Sequence, residues 1–286
     1  FFDAVDGVSL SLKKNEILAI VGESGCGKST LATSVMGLHD HNKTRVLGEI
    51  MYKGRNLATL TEDEFNKVRG EEIGMIFQDP LSALNPLMRI GEQIEEGLVY
   101  HTKMTKAERE ARVLELLNQV GIPNPPRVAR QFPHQLSGGM RQRVIIAIAI
   151  SCKPNIIIAD EPTTALDVTI QAQILDLLLD LQEETGAGII LITHDLGVVA
   201  EVADRVAVMY AGQIIETADV HELFDNPKHP YTRSLFNSIP QMNSNDEKLN
   251  VIEGIVPSLL KLPREGCRFA SRISHIPASA HEANPE

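Results

Sequence analysis

The stretch that decides the fold is Gly22-Glu23-Ser24-Gly25-Cys26-Gly27-Lys28-Ser29-Thr30. It follows an apolar run over residues 17–21, which predicts a buried strand, and it precedes residues 31–36, which can continue as a helix. A strand, a glycine-rich turn and a helix start form a P-loop, whose backbone N–H groups curl around phosphate oxygens. The bare pattern also fits a plain glycine turn, but both flanks match the P-loop. We therefore predict a nucleotide site in which Lys28 reaches the outer phosphates and Ser29 binds Mg²⁺.

The composition is that of a globular chain. Its 286 residues, 43% of them hydrophobic, suffice for one large domain, alone or with a smaller appendage. The longest apolar runs are too short to cross a bilayer, and we expect no secretory signal because the first residues are not basic. A net charge of −11 argues against a nucleic-acid binder with a generally basic surface. The 3 scattered cysteines imply no disulfide framework and favour a reducing cytoplasm.

The pattern of predicted elements changes twice along the chain. Strands dominate the first part, with candidates at residues 8–12, 49–52 and 73–77. From about residue 84 the pattern is helical, and the Thr105 to Glu108 capping box opens a helix that Gly121 can end. This helix is expected to bury the stripe Val113, Leu114, Leu117 and Val120.

Helices and buried strands alternate again after residue 137. The continuous apolar runs are typical of strands in a parallel sheet, and short proline-punctuated pieces follow from about residue 229. The predicted strands are residues 155–159, 188–193, 205–210 and 213–216, and the predicted helix is residues 170–181.

Two carboxylates stand at the end of the predicted strand at residues 155–159. Asp160 is a plausible partner of Mg²⁺, and Glu161 is placed to accept a proton from an attacking water. Alone, such a pair would indicate an ordinary strand end. Downstream of a P-loop, it indicates phosphate chemistry.

A second phosphate-type cradle is predicted at Leu136-Ser137-Gly138-Gly139, which opens a helix. Its plain alternative is a helix N-cap with Ser137 as the capping residue. One nucleotide rarely needs two cradles from one chain. The pattern therefore favours two copies that face each other, each completing the other's site.

These motifs together resemble the ABC-type ATPase family and stand in the family's order over residues 5–216. Residues 136–139 resemble its signature, residues 160–167 its Walker B motif and D-loop, Gln78 its Q-loop glutamine, and His194 its switch histidine. The resemblance implies an α/β fold of the P-loop NTPase type, the ABC-type nucleotide-binding domain. It further implies an N-terminal antiparallel β subdomain, an inserted helical subdomain and a small C-terminal extension.

The resemblance also implies roles for single residues. Glu161 would be the general base, His194 would hold the γ-phosphate and the attacking water, and Gln78 would sense Mg²⁺ and report to a membrane partner. The metal ligands would be Ser29, Gln78 and Asp160. The implied nucleotide-binding residues are Gly22, Ser24, Gly25, Cys26, Gly27, Lys28, Ser29 and Thr30, joined across a dimer interface by Ser137, Gly138, Gly139 and Asp167.

Two further stretches resemble the oligopeptide and dipeptide importer ATPases: residues 77–86, an extended Q-loop, and residues 229–233, the motif of their C-terminal extension. The plain alternative for the second is a proline turn with a packed tyrosine. The resemblance implies an ATPase domain over residues 1–228, with the helical subdomain at about 84–140, and an extension over residues 229–286.

The function implied by this resemblance is ATP hydrolysis that energises peptide import at the cytoplasmic face of the cell membrane. The implied partners are two transmembrane permease subunits, a second ABC ATPase subunit, identical or homologous, and indirectly an extracytoplasmic peptide-binding protein. No nucleic acid is expected. Alternatives are import of another small solute such as nickel or glutathione, a soluble ABC ATPase of translation or DNA repair, and an exporter subunit.

The implied cofactors are ATP and Mg²⁺. Residues 266–272 resemble the start of a cysteine cluster that holds an iron–sulfur centre in some family members. Ile273 and Ala280 stand where further thiolates would be expected, and such a cluster needs about four. We therefore expect no iron–sulfur cluster. The family's adenine-stacking aromatic stays unassigned, with Phe1 and Phe2 the nearby candidates.

Overall fold

The computed structural model describes residues 3–40, 42–164, 166–237 and 266–273. Phe1, Phe2, Ala165 of the D-loop segment and Ala280 lie outside the described residues. The chain forms two compact units. The first contains the described residues within 1–11, 17–31 and 193–286, and the second contains those within 12–16 and 32–192.

The described residues contain strands and helices, with a run of consecutive helices between residues 80 and 150. The strands are β1 (Ile17–Val21), β2 (Met51–Tyr52), β3 (Arg55–Asn56), β4 (Ile73–Ile76), β5 (Ile156–Asp160), β6 (Gly188–Ile192), β7 (Arg205–Tyr210) and β8 (Gln213–Asp219). The helices are α1 (Lys28–Val35), α2 (Glu62–Val68), α3 (Pro80–Ala83), α4 (Ile90–His101), α5 (Lys106–Gln119), α6 (Pro125–Val128), α7 (Gly138–Ile150), α8 (Val168–Thr185), α9 (Leu196–Val202), α10 (Val220–Asp225) and α11 (Pro230–Asn237).

The first unit is built on β1, β7 and β8. All five residues of β1 are buried, and β1 pairs in parallel with β7, with Leu18 opposite Arg205 and Val21 opposite Val208. β8 returns antiparallel to β7, with an irregularity between Val208 and Met209. A continuous hydrophobic cluster joins these strands to the C-terminal residues; its fully buried members include Val21, Val208, Tyr210 and Tyr231, with Phe269 and Ile273 beside them.

The second unit carries the parallel strands β4, β5 and β6 in that order. Ile73 pairs with Ile156, and Ile156 pairs with Gly188. The inner residues of β5 are buried, which explains its continuous apolar sequence, because a parallel strand covered on both faces has no solvent side. The hairpin of β2 and β3 supplies the antiparallel part of this unit.

Most predicted strands are confirmed, but the strand expected at residues 8–12 is wrong. The side chains there do alternate between half-buried and exposed, yet the structure forms no strand at these residues. The guanidinium of Arg205 donates to the Ser11 carbonyl oxygen at 2.9 Å, so a side chain takes a group that a ladder would use. Alternation predicts a half-buried extended segment; it does not provide a neighbouring strand.

The predicted capping box is confirmed at the start of α5. Glu108 accepts the Thr105 N–H at 2.6 Å, and the Thr105 hydroxyl accepts the Glu108 N–H at 3.4 Å. The buried stripe differs by one member, since Leu116 is fully buried and Leu114 is only half-buried. Residues spaced by three and four share a helix face, which places Leu116 with Val113 and Val120.

The helix predicted at residues 170–181 is longer at both ends. α8 begins after Asp167, whose carboxylate accepts the Ile170 N–H, and ends at Gly186 in the left-handed conformation. Caps outside the apolar stripe decide these limits. The predicted domain boundary at residue 229 and the helical subdomain limits of about 84–140 stay predictions.

Gly74→Ala should destabilise the fold by about 1–3 kcal/mol, because overpacking a dense core forces atoms apart. A Cβ at position 74 in β4 would lie 2.4 Å from the Ala149 carbonyl oxygen. Chemical denaturation followed by circular dichroism measures the loss. Gly138→Ala is the matched control, since no atom in the described part of the chain lies within 4 Å of where its Cβ would be. Equal stability of the two variants would contradict the prediction.

Candidate active site

Lys28 closes the P-loop of the first unit upon itself. Its buried ammonium group donates to the carbonyl oxygen of Gly22 at 2.7 Å and to that of Glu23 at 3.1 Å. The residue is also the first of α1, so its backbone lies at a helix N-terminus. A cation, backbone N–H groups and a helix dipole therefore converge in this loop, which is the combination that phosphate binding needs.

Two kinds of constraint explain the glycines of this loop. A Cβ at Gly22 would lie 2.1 Å from the Met209 carbonyl oxygen, and one at Gly27 would lie 2.7 Å from that of Ala4. Gly25 instead has φ +79° and open space where its Cβ would be. Packing fixes the two ends of the loop, and its middle faces solvent in a backbone conformation that glycine favours.

The remaining P-loop residues divide into exposed and buried members. Ser24 and Ser29 are exposed, and Thr30 is half-buried in the first turn of α1. Cys26 is fully buried, its carbonyl oxygen accepts the Gly212 N–H at 2.8 Å, and burial raises the pKa of its thiol. Cys26 therefore lies on the buried side of the loop, and the two serines lie on its solvent-accessible side.

The predicted acidic pair lies at the end of β5 in the second unit. Asp160 is the last strand residue and is only 6% exposed. Glu161 has φ +47°, an uncommon conformation for a residue with a side chain, and its N–H donates to the Ile192 carbonyl oxygen at 2.9 Å. Backbone strain of this kind is typical of functional sites, where it aims a side chain.

Side chains of Thr164 and Gln78 hold the Glu161 carboxylate. The Thr164 hydroxyl donates to Oε2 at 2.7 Å, and the Gln78 amide donates to the same oxygen at 3.3 Å. The structure thus brings together Gln78 and Glu161, which stand 83 residues apart. Thr164 was not among the predicted site residues. Its place three residues after Glu161 is the spacing of a tight turn, and the Thr164 N–H donates to the Glu161 carbonyl oxygen.

Ser137 is the N-cap of α7, and its hydroxyl accepts the Met140 N–H at 3.3 Å. Ser137 and Gly138 are exposed, so capping leaves this end of α7 open to solvent. A Cβ at Gly139 would lie 3.0 Å from Ile170 Cγ2, so Gly139 allows the start of α7 to approach α8. Asp167 caps α8 next to this contact. The predicted signature and D-loop residues therefore share one surface of the second unit.

His194 is exposed and stands between β6 and α9. The next residue, Asp195, caps α9 by accepting the N–H groups of Gly197 at 2.9 Å and Val198 at 3.2 Å. The cap fixes the backbone on the C-terminal side of the histidine. His194 belongs to the first unit together with the P-loop, whereas Gln78, Asp160 and Glu161 belong to the second.

The segment His229-Pro230-Tyr231 has a defined local structure at the start of α11. The Glu216 carboxylate accepts the N–H groups of Lys228 at 2.8 Å and His229 at 2.9 Å. His229 Nδ1 accepts the Tyr231 N–H at 3.0 Å, and Pro230 is the first helical residue, where no N–H is needed. Burial lowers the pKa of His229.

Comparison with known proteins places these features in one family. Residues 5–164 match the model of the ABC transporter family, and residues 215–275 match the C-terminal region of oligopeptide/dipeptide transporters. The chain belongs to the ABC transporter family. The predicted family and its ABC-type nucleotide-binding fold are thereby confirmed.

Relatives match the chain over nearly its whole length. The oligopeptide transport ATP-binding protein OppD of Lactococcus lactis subsp. cremoris (strain SK11) is 58% identical over 100% of this chain and 85% of its own length. The dipeptide transport ATP-binding protein DppD of Bacillus subtilis (strain 168) is 52% identical over 94% of this chain and 80% of its own. No helix in the described part of the chain is long and apolar enough to cross a membrane.

A similar solved structure is the dimeric post-hydrolysis state of the ATP-binding cassette MJ0796, bound to ADP and Pi. It superposes with a TM-score of 0.69 at 34% identity, covering 76% of this chain and 90% of that one. The likeness is that of the nucleotide-binding fold.

The depressed pKa of His229 predicts a loss of stability in mild acid. Below the ordinary histidine pKa of about 6.5 the unfolded chain binds a proton that the folded chain resists, so the free energy of unfolding falls as pH falls. Urea denaturation between pH 7 and pH 5 should show a smaller decline for His229→Asn than for the wild type. The same replacement at the exposed His134 is the control. Parallel declines in wild type and His229→Asn would contradict the prediction.

Gly138→Ala should impair ATP hydrolysis by paired subunits at least about tenfold without lowering thermal stability, because the site at the start of α7 has room for a methyl group. The added methyl group would meet no atom of the described residues within 4 Å. A melting curve and a steady-state ATPase assay measure the two effects. Gly139→Ala, which crowds Ile170, should lower both quantities. Unchanged hydrolysis in Gly138→Ala would refute a cradle at this position.

Proposed function

We propose that this chain is the ATP-hydrolysing subunit of a membrane ABC transporter that imports oligopeptides or dipeptides. The observation that carries the proposal is the match of residues 215–275 to the C-terminal region of oligopeptide/dipeptide transporters. Relatives named for oligopeptide and dipeptide transport match this chain over 94–100% of its length, which supports the same reading. The peptide class therefore ranks above nickel, glutathione or a non-transport role.

In this proposal the P-loop binds the phosphates of ATP. Backbone N–H groups of the glycine loop after Glu23 and the ammonium of Lys28 contact phosphate oxygens, with Ser29 and Thr30 at the helix start. The open middle of the loop at Gly25 and the exposed Ser24 leave room for this contact. The cradle fits a polyphosphate.

The chemistry of the proposed metal ligands fits Mg²⁺. The hydroxyl of Ser29, the amide oxygen of Gln78 and the carboxylate of Asp160 are hard oxygen donors, which this ion prefers. When bound with ATP, Mg²⁺ supplies positive charge to the β- and γ-phosphates. Asp160 is suited to this role because its backbone belongs to a buried strand and holds the carboxylate at the strand end.

Glu161 is proposed to take a proton from the attacking water. Its Oε2 accepts hydrogen bonds from Thr164 and Gln78, which orient the carboxylate before reaction. His194 is proposed to hold the γ-phosphate and the water from an exposed position. Gln78 then links the base to the membrane-facing segment that follows it.

The remaining site residues are proposed to act in a pair of ATPase subunits. Ser137, Gly138 and Gly139 at the exposed start of α7, with Asp167 beside them, would cover the nucleotide of a partner subunit, identical or homologous. Free N–H groups at a helix N-terminus attract phosphate, which supports this assignment. Binding of ATP would close the pair, and hydrolysis would reopen it.

The segment after Gln78 is proposed to dock two transmembrane permease subunits at the cytoplasmic face of the membrane. Leu81 and Leu87 are 63% and 86% exposed, so both leucines offer apolar side chains to such a partner. An extracytoplasmic peptide-binding protein would deliver the peptide to the permeases. Nucleic acid has no part in this function.

The proposed cofactor set is ATP and Mg²⁺, without an iron–sulfur cluster. The Cys267 Sγ atom lies 4.0 Å from the His229 Nε2 atom, and Ile273 is buried in the hydrophobic cluster of the first unit. Of the 3 cysteines in the sequence, Cys267 is the only one after residue 152, whereas such a cluster takes about four thiolates.

Glu161→Gln should abolish ATP hydrolysis but retain ATP binding, because the amide keeps the shape of the base and loses its basicity. Steady-state turnover and nucleotide affinity are measured on the same preparation. Glu201→Gln on the exposed side of α9 is the matched control. Wild-type turnover in Glu161→Gln would exclude this residue as the base.

The transport function is tested by reconstitution with the permease subunits in liposomes. ATPase activity and uptake should rise with a peptide-loaded binding protein and should be absent with Glu161→Gln. Nickel and glutathione are the comparison solutes. Stimulation by one of these, with none by peptides, would overturn the peptide assignment.

A further inference from the structure

We propose that the C-terminal region forms part of the ATP-binding machinery, because Tyr231 and Arg272 are positioning residues that hold Glu23 of the P-loop. This inference rests on the proposed binding of ATP at that loop. All of the residues concerned belong to the first unit.

Tyr231 fixes the peptide group between Gly22 and Glu23. Its side chain is fully buried, and its hydroxyl oxygen accepts the Glu23 N–H at 2.9 Å. The carbonyl oxygen of the same peptide group, that of Gly22, accepts the Lys28 ammonium at 2.7 Å. Because a peptide group is planar, these two contacts at its opposite ends set its rotation. Tyr231 therefore orients the Gly22 carbonyl oxygen, which accepts the hydrogen bond from Lys28.

Arg272 neutralises the Glu23 side chain. Its guanidinium forms a two-pronged pair with the carboxylate, with Nη1 2.8 Å from Oε2 and Nη2 3.2 Å from Oε1. The side chain of Arg272 is only 4% exposed and that of Glu23 is 26% exposed, so solvent screens the pair weakly. A carboxylate without this partner would repel the anionic phosphates of ATP. The pair also draws the Glu23 side chain toward the C-terminal residues.

Aromatic packing fixes both positioning residues. The ring centroids of Tyr231 and Tyr210 are 4.7 Å apart, and the Phe269 centroid lies 5.3 Å from each of them. The Arg272 guanidinium carbon lies 5.6 Å from the Phe269 centroid, within cation–π range. The C-terminal residues therefore present the hydroxyl and the guanidinium from a packed core.

The expected effect of losing either contact is on ATP affinity. Uniform binding contacts change KM and leave kcat alone, because they act equally on substrate and transition state. We expect Arg272→Gln to raise the Kd and KM for ATP about tenfold, equivalent to about 1.4 kcal/mol. Tyr231→Phe, which keeps the ring, should raise them several-fold.

A second substitution separates neutralisation of Glu23 from general support of the fold. If Arg272 acts by neutralising Glu23, then Glu23→Gln should restore ATP affinity to the Arg272→Gln variant, to within about twofold of the wild type. A merely structural arginine would give no such rescue. Arg233→Gln is the control for loss of a guanidinium, because Arg233 lies on α11 and donates to the Pro227 carbonyl at 2.8 Å.

The experiment measures Mg·ATP affinity of the purified full chain by calorimetric titration, with melting curves recorded without nucleotide to verify folding. Tighter binding by Glu23→Gln/Arg272→Gln than by Arg272→Gln supports the inference. Equal weakness of the two, or wild-type affinity in both Arg272→Gln and Tyr231→Phe, would overturn it. Lys28→Ala separates the two proposals. If the wild type binds ATP, Lys28→Ala does not, and the C-terminal variants bind normally, this inference alone fails. A wild type that binds no ATP would refute the proposed function itself.

Discussion

The close approach of the Gly22 backbone to Met209 is the constraint on which the nucleotide loop depends. The loop leaves β1 at a point where a Cβ would come within 2.1 Å of the Met209 carbonyl oxygen, so only glycine fits. This contact lies at the C-terminal ends of two parallel strands, the edge of an α/β sheet where ligands usually bind. Strand pairing thus fixes where the loop begins, and Lys28 then folds the loop around its own ammonium group.

The second unit fixes the orientation of one carboxylate, that of Glu161. Glu161 follows a buried parallel strand, turns into a left-handed backbone conformation and is held by Thr164 and Gln78. Each contact restricts a side chain that would otherwise sample many rotamers, and that restriction is paid before any substrate binds. Both units place their reactive groups at strand ends, where rigid backbone gives way to a short loop.

The sequence predicted what is local or continuous, and it failed where distant segments meet. Residues 17–21 and 155–159 were identifiable as strands because burial on both faces leaves an unbroken apolar run. Residues 8–12 were misassigned because alternation cannot reveal a missing partner strand. The contacts of Glu23 with Tyr231 and Arg272 span 208 and 249 residues, and no spacing rule connects residues so far apart.

That separation also orders events during synthesis. The ribosome releases the glycine loop before the groups that hold Glu23, which emerge only when α11 and the residues around Phe269 have been made. Contacts between residues so far apart in sequence close a long loop of backbone. The glycine loop is therefore completed well after it is made, because a nascent chain cannot finish its phosphate cradle before Arg272 has been translated.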